Sequence, residues 1–138
     1  MSGILGVDFG DSRTGYATSD ALGFSAHTLE VYHEKNMKKV AQHTAELAVR
    51  LNAEKIVLGL PKNMNGSIGD RGKKTKTFAK MLGELVNIEI IMWDERLTTV
   101  SAHNLMNETN VRGKKRKDSV DKIAAAFILQ AYLDSNKL

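Results

Sequence analysis

Short apolar runs and longer periodic stretches alternate along this chain, and their order predicts its elements. Residues 3–8 are rich in Ile, Leu and Val and read as a strand, closed by the turn Phe9-Gly10-Asp11-Ser12. Residues 13–19 and 25–33 read as the second and third strands, with Asp20-Ala21-Leu22-Gly23 between them. Connections this short favour an antiparallel meander. After Asn36, an expected N-cap, Met37, Val40, Ala41, Thr44, Leu47, Ala48 and Leu51 recur at helical spacing. Residues 55–60 are apolar on both faces, which predicts an interior strand parallel to its neighbour, and Pro61 ends it. A polar loop over 62–67 leads to a helix over 70–85, and a fifth strand over 88–93 delivers Asp94-Glu95-Arg96. A helix over 98–108, a loop over the basic segment 110–117 and a last helix over 119–135 complete the chain. The last helix carries Val120, Ile123, Ala124, Phe127, Ile128 and Ala131 as its apolar stripe. The order βββαβαβαα predicts an α/β sheet with one antiparallel edge ribbon and helices on both faces. With no internal repeat and no linker, residues 1–138 are expected to form a single domain.

Composition narrows the function classes. Hydrophobic residues at 42% and charged residues at 26% are ordinary globular values, so a disordered chain is excluded. The absence of cysteine excludes a disulfide framework, a thiolate zinc site and a cysteine nucleophile. No apolar run approaches the roughly 20 residues that span a bilayer. The first residues lack the basic-then-apolar layout of a secretion signal. A cytoplasmic protein with no membrane partner is therefore expected.

The net charge of +4 is mild, but its distribution is uneven. Arg112, Lys114, Lys115, Arg116 and Lys117 fall together, and Lys62, Arg71, Lys73, Lys74 and Lys76 crowd a second stretch. Such clusters attract a polyanion and bind it through counterion release. They serve equally well as a solvated loop and a solvated helix face.

Three acids stand out as candidate chemistry. Asp8 ends a buried strand just before glycine, where an ionised carboxylate is costly unless a cation offsets it. Glu95 follows the fifth strand, and Asp121 opens the last helix. If strands one and four are neighbours and five lies beyond four, Asp8 and Glu95 open onto one sheet edge. The last helix can then bring Asp121 to it. Converging carboxylates repel one another, and Mg²⁺ or Mn²⁺ removes the conflict. A pair of such ions activates water and stabilises the leaving oxygen in phosphodiester cleavage. Each acid also has a plainer role. Asp121 in a first helical turn complements the macrodipole, Asp94-Glu95-Arg96 can form a surface ion-pair cluster, and Asp8 can cap its own turn. His27, His33, His43 and His103 show no ligand spacing, and Ser12, Thr18 and Ser19 have no histidine partner that would make a triad. Trp93 is expected to pack.

Four blocks together resemble a known family. They are Gly6-Val7-Asp8-Phe9-Gly10 with Gly15, the run Val57 to Gly66, Trp93-Asp94-Glu95-Arg96-Leu97-Thr98-Thr99, and Val120 to Ala125 continuing through Ile128-Leu129-Gln130 and Tyr132-Leu133. In order and spacing these blocks closely resemble the YqgF family. Its bacterial members are described as Holliday-junction resolvases and as nucleases that mature the 5′ end of pre-16S ribosomal RNA. The resemblance covers essentially the whole chain. It implies a ribonuclease H-like fold with a mixed five-stranded sheet of order 3-2-1-4-5. It also implies that Asp8, Glu95 and Asp121 are the metal-binding and catalytic carboxylates. The better-known junction resolvases use four acids, the last two spaced i and i+3. Asp118 has that spacing from Asp121, but the resemblance does not reach it, and it reads as an N-cap.

The resulting expectation is an endonuclease for structured nucleic acid that uses two Mg²⁺ or Mn²⁺ ions. Lys62 and the cluster Arg112, Lys114, Lys115, Arg116 and Lys117 would hold phosphates. Precursor ribosomal RNA, free or on a pre-ribosomal particle, is the favoured substrate. Resolution of branched DNA and non-catalytic RNA binding in ribosome assembly are the alternatives. Asp8-x-Gly10 with Gly15 also looks like the first phosphate loop of sugar kinases and actin-like ATPases. Those proteins close ATP between two copies of the domain, and this chain provides one.

Overall fold

The computed structural model describes residues 3–20, 22–63, 65–94 and 113–135. Five strands form one mixed sheet of order β3-β2-β1-β4-β5, as the resemblance implies. β1 (Gly3–Asp8) pairs antiparallel with β2 (Arg13–Ser19), which pairs antiparallel with β3 (Ala26–His33). β1 also pairs parallel with β4 (Ala53–Leu60), and β4 pairs parallel with β5 (Glu89–Asp94). The carboxyl ends of β1, β4 and β5 therefore lie along one edge of the sheet.

The pleat sorts side chains between two cores. Leu5 and Val7 of β1, Tyr16 of β2, and Ile56 and Leu58 of β4 face α1 (Met37–Arg50) and α2 (Asp70–Leu85), among Val40, Leu47, Phe78 and Leu82. Ala17, Val57, Ile91 and Trp93 point to the opposite face, where Ala125, Ile128, Leu129 and Tyr132 of α3 (Gly113–Ser135) cover them. The apolar run Ile56 to Leu60 of β4 is thus explained by burial on both sides. Asn36 caps α1 as expected, its side chain accepting from the Lys39 N–H at 3.1 Å. Trp93 packs edge-on against Tyr132 at 5.8 Å between ring centroids.

Two expectations at the last helix are overturned. The basic segment from Gly113 onward is helix rather than loop, so α3 begins six residues earlier than the apolar stripe indicates. Apolar periodicity marks the buried part of a helix, and Lys and Arg are good helix formers that extend it without adding any stripe. Asp118 consequently lies inside α3 and is not its N-cap. The expected helix over 98–108 lies outside the described residues.

Candidate metal and nucleic-acid site

Asp8 is the last residue of β1, and its alternation with Val7 turns it toward the α3 face of the sheet. In register it sits opposite Gly15 of β2. At Gly15 the backbone of α3 lies directly against the ribbon. A Cβ at Gly15 would overlap the Asp121 backbone carbonyl, and a Cβ at Gly6 would lie 2.8 Å from Cβ of Leu129. Bare backbone at these two strand positions lets the helix lie directly on the sheet. Cross-strand neighbours are roughly 5 Å apart, so Asp8 and Asp121 flank one spot at the carboxyl edge of β1.

Asp121 lies more than two turns into α3. The macrodipole acts only over the first turn of a helix, so that explanation for an acid here falls away. What Asp121 does have is a cationic partner, because Arg13 Nε donates to its Oδ2 at 2.6 Å. Arg13 opens β2 on the same face as Gly15. Sequence reasoning missed this residue, since its partner is 108 positions away.

The turn after Asp8 is held from the other face of the sheet. Phe9 stacks on Phe78 of α2 with centroids 4.3 Å apart, and Arg71 Nη2 donates to the Phe9 carbonyl at 3.2 Å. Lys74 Nζ meets Asp11 Oδ1 at 3.3 Å in an exposed pair. At Gly72 a Cβ would come 2.8 Å from the Pro61 carbonyl, so the start of α2 rests against the end of β4. Lys62, Arg71 and Lys74 therefore share the sheet edge on which β1 ends. Lys62 was expected from the sequence. Arg71 and Lys74 belong to the second basic stretch, expected on the helix over 70–85 but without a contact to the turn after Asp8.

The remaining expected residues divide. Lys114, Lys115, Arg116 and Lys117 lie on the opening turns of α3. Glu95 and Arg112 lie outside the described residues. β5 ends at Asp94, in register with Leu60, two strands from β1 and hence roughly 10 Å away along the same edge. Among the described residues no three acids or histidines are grouped as a metal site. Asp8 and Asp121 nevertheless supply the hard oxygen donors that Mg²⁺ and Mn²⁺ prefer, and the donor set fits such an ion. The histidines take structural positions instead: His43 stacks on Tyr32 at 3.9 Å and contacts Glu30 Oε2 at 3.1 Å.

Comparison with known proteins agrees with this geometry. The RuvX family, described as "Holliday junction resolvase", matches residues 2–135. A Clostridium novyi protein named "Putative pre-16S rRNA nuclease" is 46% identical over 132 residues, covering 96% of this chain and 98% of its own. An Agathobacter rectalis protein of the same name is 48% identical over 134 residues, covering 95% and 94%. Among solved structures, Thermus thermophilus RuvC in complex with a Holliday junction substrate superposes with a TM-score of 0.60 at 11% identity. The match covers 99% of this chain and 97% of that one, and at such low identity it shows the shared fold. Nucleases of this ribonuclease H-like fold generally use divalent metal ions. The sheet order, the RuvX match and the full-length relatives together establish that this chain belongs to the RuvX (YqgF) family of nucleases, hydrolases that act on ester bonds.

Proposed function

We propose that this protein is a divalent-metal-dependent endonuclease that processes the 5′ end of pre-16S ribosomal RNA in the cytoplasm, with residues 1–138 acting as one nuclease domain. The observation that carries the reading is the convergence of Asp8 and Asp121 about Gly15, at the carboxyl edge of the parallel strands. The names of the full-length relatives supply the substrate. Asp8, Glu95 and Asp121 would hold two Mg²⁺ or Mn²⁺ ions, which supply an activated water and charge stabilisation at the leaving oxygen.

The chain's own residues do the rest. The Phe9–Phe78 stack and the Arg71 hydrogen bond fix the turn after Asp8, so its carboxylate does not drift from the reacting phosphate. Lys62 and Lys74 grip the phosphate chain on the α2 side of the sheet edge. The cluster Arg112, Lys114, Lys115, Arg116 and Lys117 would hold it as well. These contacts position the substrate without reading its sequence.

The test offers wild type and Asp8→Asn the same panel of precursor ribosomal RNA, single strands and four-way junctions, with Mn²⁺ or with chelator. Cleavage of the precursor by wild type alone, and only with metal, is the expected result. Equal cutting by the Asn variant refutes the site. Binding without any metal-dependent cleavage favours a non-catalytic assembly factor. A second reading, resolution of branched DNA, is favoured by the family's description and by the junction bound to the structural neighbour. Symmetric resolution needs two sites, so it also requires a dimer.

A further inference from the structure

The Arg13–Asp121 pair is a strong interaction that the proposed chemistry does not use. It is short at 2.6 Å and joins the start of β2 to the middle of α3. It is also largely out of solvent, with side-chain exposures of 32% for Arg13 and 17% for Asp121. Arg13 reaches Oδ2 of Asp121 through Nε.

Without an ion, two carboxylates that flank one half-buried spot repel each other. A guanidinium against one of them relieves that repulsion and holds α3 against the glycine-bared ribbon. A bound divalent ion would relieve the same repulsion with twice the charge. Arg13 and the ion therefore act on one carboxylate and oppose each other electrostatically.

We infer that Arg13 is a built-in counter-ion for Asp121, which keeps the site folded when no ion is bound and weakens its hold on a divalent cation. The inference rests on the metal-site reading above. Its consequence is a raised threshold for metal loading, so that the protein is stable in the ion-free form and takes up metal only where free ion is plentiful. A purely structural arginine would affect stability alike with and without metal. A counter-ion affects the two states in opposite directions.

Three variants separate these cases. Arg13→Gln removes the charge and keeps a donor. Arg13→Met removes the charge and keeps the packing of the stem. Arg13→Lys keeps the charge on a different head. Mn²⁺ affinity is measured by titration calorimetry, and thermal unfolding is followed in chelator and in saturating Mn²⁺. Both uncharged variants are expected to bind Mn²⁺ more tightly, by roughly tenfold, because a positive charge that opposes the ion is gone. They should melt earlier than wild type in chelator and gain more from Mn²⁺, while Arg13→Lys stays close to wild type. Unchanged or weaker Mn²⁺ binding in both uncharged variants overturns the counter-ion role. Wild-type protein is titrated first beside Asp8→Asn and Asp121→Asn. If it shows no Mn²⁺ binding that these substitutions remove, the metal site itself fails and the role of Arg13 falls with it.

Discussion

Gly15 of β2 faces the backbone carbonyl of Asp121 so closely that α3 rests on the strand with no side chain between them. Gly15 is also the register partner of Asp8. One bare position thus sets the distance between the two acids, and an alanine there acts on fold and site together. The atoms its methyl would meet are backbone atoms and cannot rotate away. Gly15→Ala is expected to cost about 3 kcal/mol, the upper part of the range for overpacking, and to abolish cleavage. Gly23 is the contrasting case, with φ of +75° and open space around its Cβ. Gly23→Ala should cost about 1 kcal/mol in left-handed strain and leave cleavage untouched. Urea denaturation and a cleavage assay on the two variants check both expectations.

Asp8→Asn keeps the shape of the side chain and removes its charge. Cleavage should fall to background, because the amide is a poor ligand for a hard cation. The fold should be retained in chelator, because the amide keeps the shape of the side chain at the end of β1. Thermal unfolding in chelator, run beside the cleavage assay, separates loss of chemistry from loss of fold.

The sheet was readable in the sequence because apolar patterning reports burial. The unbroken apolar run at 56–58 follows from two covered faces of β4. What burial does not report was missed. The first turns of α3 are Lys and Arg, which favour helix without any apolar stripe, so the start of α3 and the depth of Asp121 within it were misplaced. That misplacement kept the macrodipole explanation of Asp121 open. Arg13 gave no local signal, because its partner is brought to it only by α3 crossing the sheet. The available clue was glycine inside strands, at Gly6 and Gly15, which marks close approach of another backbone.

A pH dependence on the opposite face of the sheet follows from Tyr16. Its ring is fully buried, and its hydroxyl shares a 2.6 Å hydrogen bond with Thr44 Oγ1, which also donates to the Val40 carbonyl at 2.8 Å. Burial pushes the phenol well above its ordinary value of 10.0, only partly offset by the hydrogen bond to Thr44. A pKa raised by folding stabilises fully below the unfolded value and loses that stability as pH rises above it. The protein is therefore expected to lose stability progressively above about pH 10. Tyr16→Phe removes this alkaline loss and costs about 1 kcal/mol at neutral pH for the missing hydrogen bond. Urea midpoints of both proteins at pH 7, 9, 10 and 11 test the sign.

The basic residues beside the turn after Asp8 make a quantitative expectation about substrate. Lys62 follows β4 and Lys74 reaches Asp11 in an exposed ion pair, a contact worth too little to keep it from a phosphate. If both contact the nucleic-acid backbone, each contributes one released counterion. The logarithm of affinity then falls with the logarithm of salt by about 0.9 per contact on a duplex and about 0.7 on a single strand. Lys62→Ala with Lys74→Ala should flatten the salt dependence of binding by about 1.8 on duplex substrate or about 1.4 on single strands, and should weaken all sequences alike. Arg71 is left intact in this experiment, because its hydrogen bond to the Phe9 carbonyl holds the turn itself. Binding isotherms from low to moderate salt, on both substrate forms, measure the slopes. An unchanged slope in the double variant places the phosphate path elsewhere and leaves the α3 side to carry it.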